Sequence, residues 1–82
     1  MEIILSHDAS KQYKRLPISD KTKINKKLIT LYQDPYGGKK LAGELEGIRS
    51  LRVWPYCILY AINKKTNMVE MHKIAHRQSV YK

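Results

Sequence analysis

The sequence predicts an α+β fold with the element order β-α-α-β-β-β, in which a two-helix hairpin packs on a small, mostly antiparallel sheet and a short C-terminal tail follows. In the first half of the chain, apolar residues recur at helical spacing between polar, turn-forming segments. In the second half, β-branched and aromatic residues gather in three runs separated by turn-forming residues. Helices with one apolar face need a sheet to cover, so the two halves are expected to pack together.

The chain opens with features that predict a strand followed by a helix. Residues 2–5 form a short apolar run, and either Ser6 or Asp8 can cap the helix that follows it. This helix ends at Pro17, which cannot continue a helical hydrogen-bond ladder. Its apolar face, with spacing i, i+4 and i+7, consists of Ala9, Tyr13 and Leu16.

A second helix is expected to begin at a cap formed by Ser19 or Asp20 and to stop at residues 34–38, which contain Asp, Pro and two Gly residues. The four lysines between positions 21 and 27 lie off its apolar stripe and are expected to face water. The stripe consists of Ile24, Leu28, Leu31 and Tyr32. The two helices together predict an amphipathic hairpin.

Three strands are predicted in the second half, at residues 49–54, 56–62 and 68–75. A long loop at residues 36–48 precedes them, Pro55 marks a tight connection, and residues 63–67 form a hairpin loop. The middle run is apolar on both faces and is expected in the middle of the sheet. In the last run, alternation predicts one face made of Met68, Glu70, His72 and Ile74 and another made of Val69, Met71, Lys73 and Ala75.

Length and charge restrict the classes of function. The 82 residues carry 16 Lys and Arg against seven Asp and Glu, for a formal net charge of +9. This length predicts one domain over residues 1–82 and excludes a multidomain enzyme. A hydrophobic content of 43% is too high for a disordered basic tail. The excess of positive charge indicates a polyanionic partner.

Other features of the composition concern location and cofactors. Cys57 is the single cysteine and cannot form an internal disulfide, and the chain opens without a charged-then-apolar leader, so we expect the cytoplasm. No apolar run approaches the roughly 18 residues that span a bilayer, so no membrane partner is expected. No spacing of His, Cys, Asp and Glu matches a metal site, and we expect neither a metal nor another cofactor.

Three segments in order along the chain resemble the RelE/ParE toxin superfamily of bacterial and archaeal toxin–antitoxin modules. Residues 40–53 read KLAGELEGIRSLRV, residues 56–60 read YCILY, and residues 74–81 read IAHRQSVY. The preceding strand and helix hairpin are also typical of the family, so the resemblance covers essentially the whole chain. The closing His-Arg-x-x-Val-Tyr is more similar to the RelE branch, which cleaves messenger RNA on the ribosome, than to the ParE branch, which poisons gyrase.

The resemblance implies the toxin of a type II toxin–antitoxin system, acting as a ribosome-dependent messenger-RNA endoribonuclease that inhibits translation. Its implied partners are the ribosome, messenger RNA and a cognate antitoxin that neutralises it in a hetero-oligomer. Cleavage by a ribose 2′-hydroxyl needs a group that takes the hydroxyl proton, donors for the phosphoryl oxygens and an acid for the leaving oxygen. No metal is implied in this reaction.

The resemblance also implies site residues, which are catalytic Arg52, His76, Arg77 and Tyr81 and RNA- or phosphate-binding Lys40, Arg49 and Lys73. Arg52, with Arg49 beside it, is expected to face Arg77 and Tyr81. The arginines would hold the phosphate, and Tyr81 would orient or deprotonate the 2′-hydroxyl or stack on a base. His76 is the side chain suited to proton transfer near neutral pH. The structural alternatives are solvated charges for Arg49 and Arg52, a hydrogen-bonded strand end for His76 and core packing for Tyr81.

One position departs from the family pattern. The family strand usually reads Tyr-Arg where this chain reads Tyr56-Cys57, so an arginine used at the phosphate is missing. A thiol cannot supply a bidentate cationic fork. Either neighbouring cations such as Arg49 and Arg52 take over, or the enzyme is slow, or the protein is an inactive relative that acts as a binding module. A ParE-like gyrase poison is a further alternative.

Overall fold

The computed structural model describes residues 1–43 and 47–76. The elements are β1 Glu2–Leu5, α1 His7–Arg15, α2 Ile18–Gln33, β2 Lys39–Lys40, β3 Arg49–Val53, β4 Tyr56–Asn63 and β5 Met68–His76. The strand order in the sheet is β1-β5-β4-β3-β2, with β1 parallel to β5 and the other pairs antiparallel. The predicted α+β class and mostly antiparallel sheet are confirmed. The short strand β2 lies in the segment that was predicted to be loop, and the predicted C-terminal tail lies outside the described residues.

Helix α1 is capped by Ser6, one of the two residues that the sequence offered. The Ser6 hydroxyl accepts a hydrogen bond from the backbone N–H of Ala9 at 3.1 Å, and Asp8 lies in the first turn. The helix ends at Arg15, shortly before Pro17 as predicted. Ala9 is fully buried, so the predicted apolar face does point into the core.

Helix α2 begins earlier than predicted, and the expected cap is wrong. Pro17 occupies the cap position without a side-chain hydrogen bond, and the helix starts at Ile18. Proline is tolerated at a helix start because the first N–H groups have no partner within the helix. Asp20 instead accepts a hydrogen bond from the Tyr56 hydroxyl at 2.8 Å. A carboxylate that looked like a local cap therefore joins the helix to the sheet.

The apolar stripe of α2 covers one side of the sheet, which we call the helix face. Ile24 and Leu31 are buried and Leu28 packs against the core, but Tyr32 is 54% exposed, so the predicted stripe is wrong at Tyr32. The buried cluster on this face comprises Ala9, Ile24, Leu31, Val53, Ile58, Tyr60, Val69, Met71 and Ile74. Burial of this much apolar surface is the main force that holds the hairpin on the sheet.

Strand β4 lies between β3 and β5, which confirms the prediction that the middle run is central. Successive side chains of a strand point to opposite faces. Ile58 and Tyr60 belong to the cluster on the helix face. Cys57 and Leu59 therefore point to the other side of the sheet, which we call the far face. Cys57 is only 4% exposed there.

A β-bulge in β5 overturns the predicted alternation of that strand. Tyr60 pairs with Met71 while its neighbour Leu59 pairs with Lys73, so His72 is an extra residue between them. Met71 and Ile74 both reach the core of the helix face, although the sequence pattern placed them on opposite faces. Beyond the bulge, Lys73 therefore lies on the far face.

Beyond the end of β1, Ser6 and α1 supply hydrogen-bond partners for the backbone at the outer edge of β5. The Ser6 hydroxyl donates to the carbonyl oxygen of His72 at 2.8 Å, and the Gln12 side-chain oxygen accepts from the N–H of Ile74 at 2.8 Å. Strand backbone that is partly buried needs such partners, since an unpaired group costs free energy. These two hydrogen bonds, with Ser6 and Gln12, stabilise the bulge at His72.

The hairpin between β3 and β4 has a two-residue turn. Val53 pairs with Tyr56, which leaves Trp54 and Pro55 to make the connection through a cis peptide bond. This confirms the tight connection expected at Pro55. Trp54 is 59% exposed at the tip of the turn.

Candidate active site

The register of the three central strands aligns residues in rows across the sheet. Arg52 pairs with Cys57, and Cys57 pairs with Ala75, so these three residues form one row on the far face. Neighbouring strands lie about 4.8 Å apart, which puts the Cα atoms of Arg52 and Ala75 about 10 Å from each other. The next row, on the helix face, contains Tyr56 and His76. Arg52 and His76 thus lie at the same end of the sheet but on opposite faces, so the register does not bring these two predicted catalytic residues to one surface.

Two of the predicted catalytic residues, Arg77 and Tyr81, lie outside the described residues. In the chain they follow His76, which ends β5 next to the row of Arg52. His76, the last described residue, lies about two strands from Arg52 across the sheet. Whether the segment and Arg52 act together stays a prediction.

A second row of the far face adds cations. Lys39 pairs with Ser50, Ser50 with Leu59, and Leu59 with Lys73. Lys39 and Lys73 are both exposed. The far face therefore carries Lys39, Arg52 and Lys73 in neighbouring rows. Sequence reasoning missed Lys39 because it did not predict β2 and so had no register for that segment.

Arg49 lies on the helix face, opposite to Arg52. Its guanidinium donates to the carbonyl oxygens of Tyr36 at 3.1 Å and Gly38 at 3.0 Å, and it lies 5.2 Å from the centre of the Tyr36 ring. The structure therefore does not bring Arg49 and Arg52 to one surface as expected. Residues three apart in a strand point to opposite faces. Lys40 pairs with Arg49 and shares its row.

Cys57 occupies the position where the resemblance implied an arginine. Its sulfur lies 2.6 Å from the hydroxyl oxygen of Ser50, and its direct neighbour across the strand pair is Arg52. The buried thiol thus contacts a polar side chain and brings no charge. The cationic character of this row comes from Arg52.

His76 contacts an aromatic ring that is tied to α2. The rings of His76 and Tyr56 meet edge to face, with centroids 5.6 Å apart and planes at 88°. The pKa of Tyr56 is raised above its ordinary value of 10.0, chiefly because its hydroxyl donates a hydrogen bond to the Asp20 carboxylate. A chain of contacts from Asp20 through Tyr56 to His76 therefore positions the end of β5.

The hydroxyl of Tyr60 anchors the loop that precedes β2. It donates to the carbonyl oxygen of Pro35 at 2.9 Å and accepts from the N–H of Gly38 at 3.0 Å. Burial raises the pKa of Tyr60 above its ordinary value of 10.0. A side chain at Gly38 would meet this ring, since an added Cβ would lie 2.9 and 3.0 Å from two of its carbon atoms.

Neither a metal centre nor a membrane span is found in the described part of the chain. In residues 1–43 and 47–76, no three His, Cys, Asp or Glu side chains come together as metal ligands. No helix within these ranges combines the length and the apolar character needed to cross a bilayer.

Comparison with protein families decides what kind of protein this is. Residues 3–81 match the family model of the ParE toxin of the type II toxin–antitoxin system parDE. The chain belongs to the ParE toxin family. It is therefore a toxin of a type II toxin–antitoxin system, and the predicted membership of the RelE/ParE superfamily is confirmed, whereas the closer similarity to the RelE branch stays a prediction. Comparison with curated proteins gave no match.

Solved toxin structures share the fold of this ParE-family toxin. It is similar to a YoeB/ParE toxin from Agrobacterium tumefaciens, with 18% identity, a TM-score of 0.81 and coverage of 93% of this chain and 98% of that one. The isolated Escherichia coli RelE toxin matches with 16% identity and a TM-score of 0.80, covering 92% and 82%. The toxin–antitoxin complex RelBE2 from Mycobacterium tuberculosis matches with 26% identity and a TM-score of 0.74, covering 93% and 96%.

Proposed function

We propose that this ParE-family toxin is a RelE-like messenger-RNA interferase that cuts messages on the ribosome in the cytoplasm and is neutralised by a cognate antitoxin. The observation that carries the proposal is the position of Arg52 on the far face, in the row that ends beside His76. Phosphodiester cleavage needs a cation at the phosphate and groups that transfer protons, and in the sequence the proposed groups are the last residue of β5 and residues that follow it.

Each residue has a role in the proposed reaction. Arg52 and Arg77 bind the scissile phosphate and stabilise the charge that develops on its oxygens. His76 is proposed to transfer the proton of the 2′-hydroxyl or of the leaving 5′-oxygen, which requires its ring to leave Tyr56 on the helix face and turn towards Arg52 at the end of the sheet. Tyr81 orients the 2′-hydroxyl or stacks on a base. No metal or other cofactor takes part.

The remaining cations attract RNA or support the site. Lys73 faces the far side of the sheet, where it draws the phosphate backbone towards the row of Arg52. Lys40 adds attraction at the sheet edge. Arg49 contributes mainly by holding the loop of Tyr36 and Gly38 against β3, which differs from the direct phosphate contact that the resemblance implied.

The proposed antitoxin has the opposite charge. Because the toxin carries a net charge of +9, an acidic segment of the antitoxin that covers Arg52 and the closing segment would be held strongly. The similar RelBE2 structure from M. tuberculosis is a toxin–antitoxin complex. The toxin and its antitoxin are proposed to form a hetero-oligomer that keeps the reactive face from RNA.

Expression of the toxin without its antitoxin tests this function. We expect translation to stop and messages to be cut within codons at the ribosomal A site, as mapped by sequencing of RNA 5′ ends. Arg52→Ala should abolish the cuts. Arg15→Ala, which removes the same charge at the exposed end of α1, should retain them. Growth arrest with intact messages would reject the proposal.

A gyrase poison is the second candidate, because the family model that matches is named for ParE. This alternative predicts induction of DNA-damage signalling and messages that stay intact. The same expression experiment separates the two functions, since RNA ends and DNA damage are read from the same cells.

A further inference from the structure

A basic groove lies between α2 and the turn of the β3–β4 hairpin, outside the row of Cys57 and Ala75. The groove has a volume of about 350 Å³. It is lined by Lys23, Lys26, Lys27, Arg52, Val53 and Trp54. Among residues 1–43 and 47–76, Arg52 alone belongs both to this groove and to the proposed reaction site.

The lysines of the groove come from neighbouring turns of one helix. Lys26 and Lys27 lie three and four residues after Lys23, and like charges at these spacings on a helix repel one another. No carboxylate of the described residues lines the groove to offset this repulsion. A polyanion lying in the groove would relieve it, and counterions released from the polyanion would add to its affinity.

Trp54 gives the groove a flat apolar surface. Its side chain is 59% exposed at the two-residue turn, beside the cations of α2. Exposed aromatic rings next to basic side chains are the usual surface for single-stranded nucleic acid, since every base has a face that can stack. A base within a duplex is already stacked on both sides and is not available to the indole.

We propose that this groove binds single-stranded RNA and holds the part of the message that leaves the reaction site. Arg52 connects the two surfaces, so one strand can cross the far face at Arg52 and continue over Trp54 to Lys23 and Lys27. The identification of this strand as the message rests on the proposed function. Binding in the groove is measurable without any cleavage.

The test uses the full chain and a short, unstructured 2′-O-methyl RNA, which lacks the attacking hydroxyl and cannot be cut. The dissociation constant is measured over a range of salt concentrations. Lys23→Gln/Lys27→Gln should reduce the log–log salt slope by about 1.4, because each phosphate contact on a single strand contributes about 0.7. The matched control, Lys64→Gln/Lys65→Gln, removes the same charge from the β4–β5 loop at the other end of the sheet and should change the slope far less.

The aromatic surface is tested separately. Trp54→Ala should weaken binding about 5- to 150-fold, the range expected for loss of one stacked base. Trp54→Phe keeps a flat ring and should retain most of the affinity. Circular dichroism of each variant shows whether it is folded.

Three results would contradict the proposal that this groove binds single-stranded RNA. These are an unmodified protein that does not bind the RNA, equal slopes for the groove and loop variants, or a folded Trp54→Ala protein with unchanged affinity. Variants that bind RNA normally but lose an acidic antitoxin peptide would assign the groove to a protein partner instead. A protein that binds the RNA in the groove but leaves messages intact would reject the nuclease and retain the groove.

Discussion

At the scale of single residues, the two arginines of β3 have different tasks. Arg49 and Arg52 are three residues apart, and the pleat turns them to opposite faces of the sheet. The hydrogen bonds and ring contact of Arg49 tie it to the loop at Tyr36 and Gly38. Arg52 belongs to the far face. Side chains alternate along a strand and the two arginines are an odd number of residues apart, so this separation is predictable from the sequence.

Because Arg49 ties a loop to β3, its substitution is expected to lower the stability of the fold. Arg49→Ala removes two charge-assisted hydrogen bonds to carbonyl groups and should lower the free energy of unfolding by about 1–3 kcal/mol. Urea denaturation measures this change. Arg15→Ala is the control for charge and should change stability by less than about 0.5 kcal/mol. Equal effects of the two substitutions would contradict a structural role for Arg49.

Cys57 predicts that the proposed cleavage activity can be raised by substitution at this position. Cys57→Arg places a second guanidinium opposite Arg52, where it can bind phosphate oxygens, so cleavage and toxicity should rise. Cys57→Ser, which adds no charge, is the control. RNA cleavage on purified ribosomes gives the rates, and circular dichroism shows whether the larger side chain is accommodated. A folded Cys57→Arg protein with unchanged or lower activity would contradict the account of this position.

The raised pKa values of Tyr56 and Tyr60 predict how the stability of the protein depends on pH. The pKa of Tyr56 is raised chiefly by its hydrogen bond to Asp20, and that of Tyr60 chiefly by burial. Above the ordinary value of 10.0, the unfolded chain loses phenolic protons that the folded protein still binds, so the free energy of unfolding falls as pH rises. Below that value this contribution is constant. Urea denaturation at about pH 8 and pH 10.5 should show a smaller fall for Tyr56→Phe/Tyr60→Phe, and identical falls would contradict these shifts.

At the scale of elements, Ser6 joins α1 to β5. Its hydroxyl accepts from the N–H of Ala9 and donates to the carbonyl of His72, so it caps the helix and holds the bulge. Ser6→Ala should lower the free energy of unfolding by about 1–2 kcal/mol in urea denaturation. Asp8→Ala, the other cap that the sequence offered, should cost less because Asp8 contributes only its charge in the first turn. The reverse order would contradict this assignment.

The sequence predicted elements better than it predicted their registers. Helices and long strands follow from local periodicity, so α1, β4 and the tight turn at Pro55 were predictable. The bulge at His72 depends on how β5 pairs with β4, and no pattern within β5 indicates it. Strand β2 has two residues and is defined by its pairing with β3, so local propensity could not indicate it.

At the scale of the whole molecule, the cations are divided between two faces and one groove. The far face carries Lys39, Arg52 and Lys73, and the lysines of α2 line the groove next to Trp54. The net charge indicated a polyanionic partner, but the distribution of charge needed the strand register. Trp54 and the α2 lysines are far apart in the sequence, and the packing of α2 beside the β3–β4 turn brings them together.

We propose that Arg52, together with the segment that follows β5, cleaves RNA. The most direct test compares the unmodified toxin with Arg52→Ala on ribosomes programmed with a defined message, with cleavage at the A-site codon measured by primer extension. We expect cleavage by the unmodified toxin and a rate at least about 100-fold lower for the folded variant, as for loss of a group that stabilises the transition state. Cleavage that is equally fast without the Arg52 guanidinium would contradict the claim.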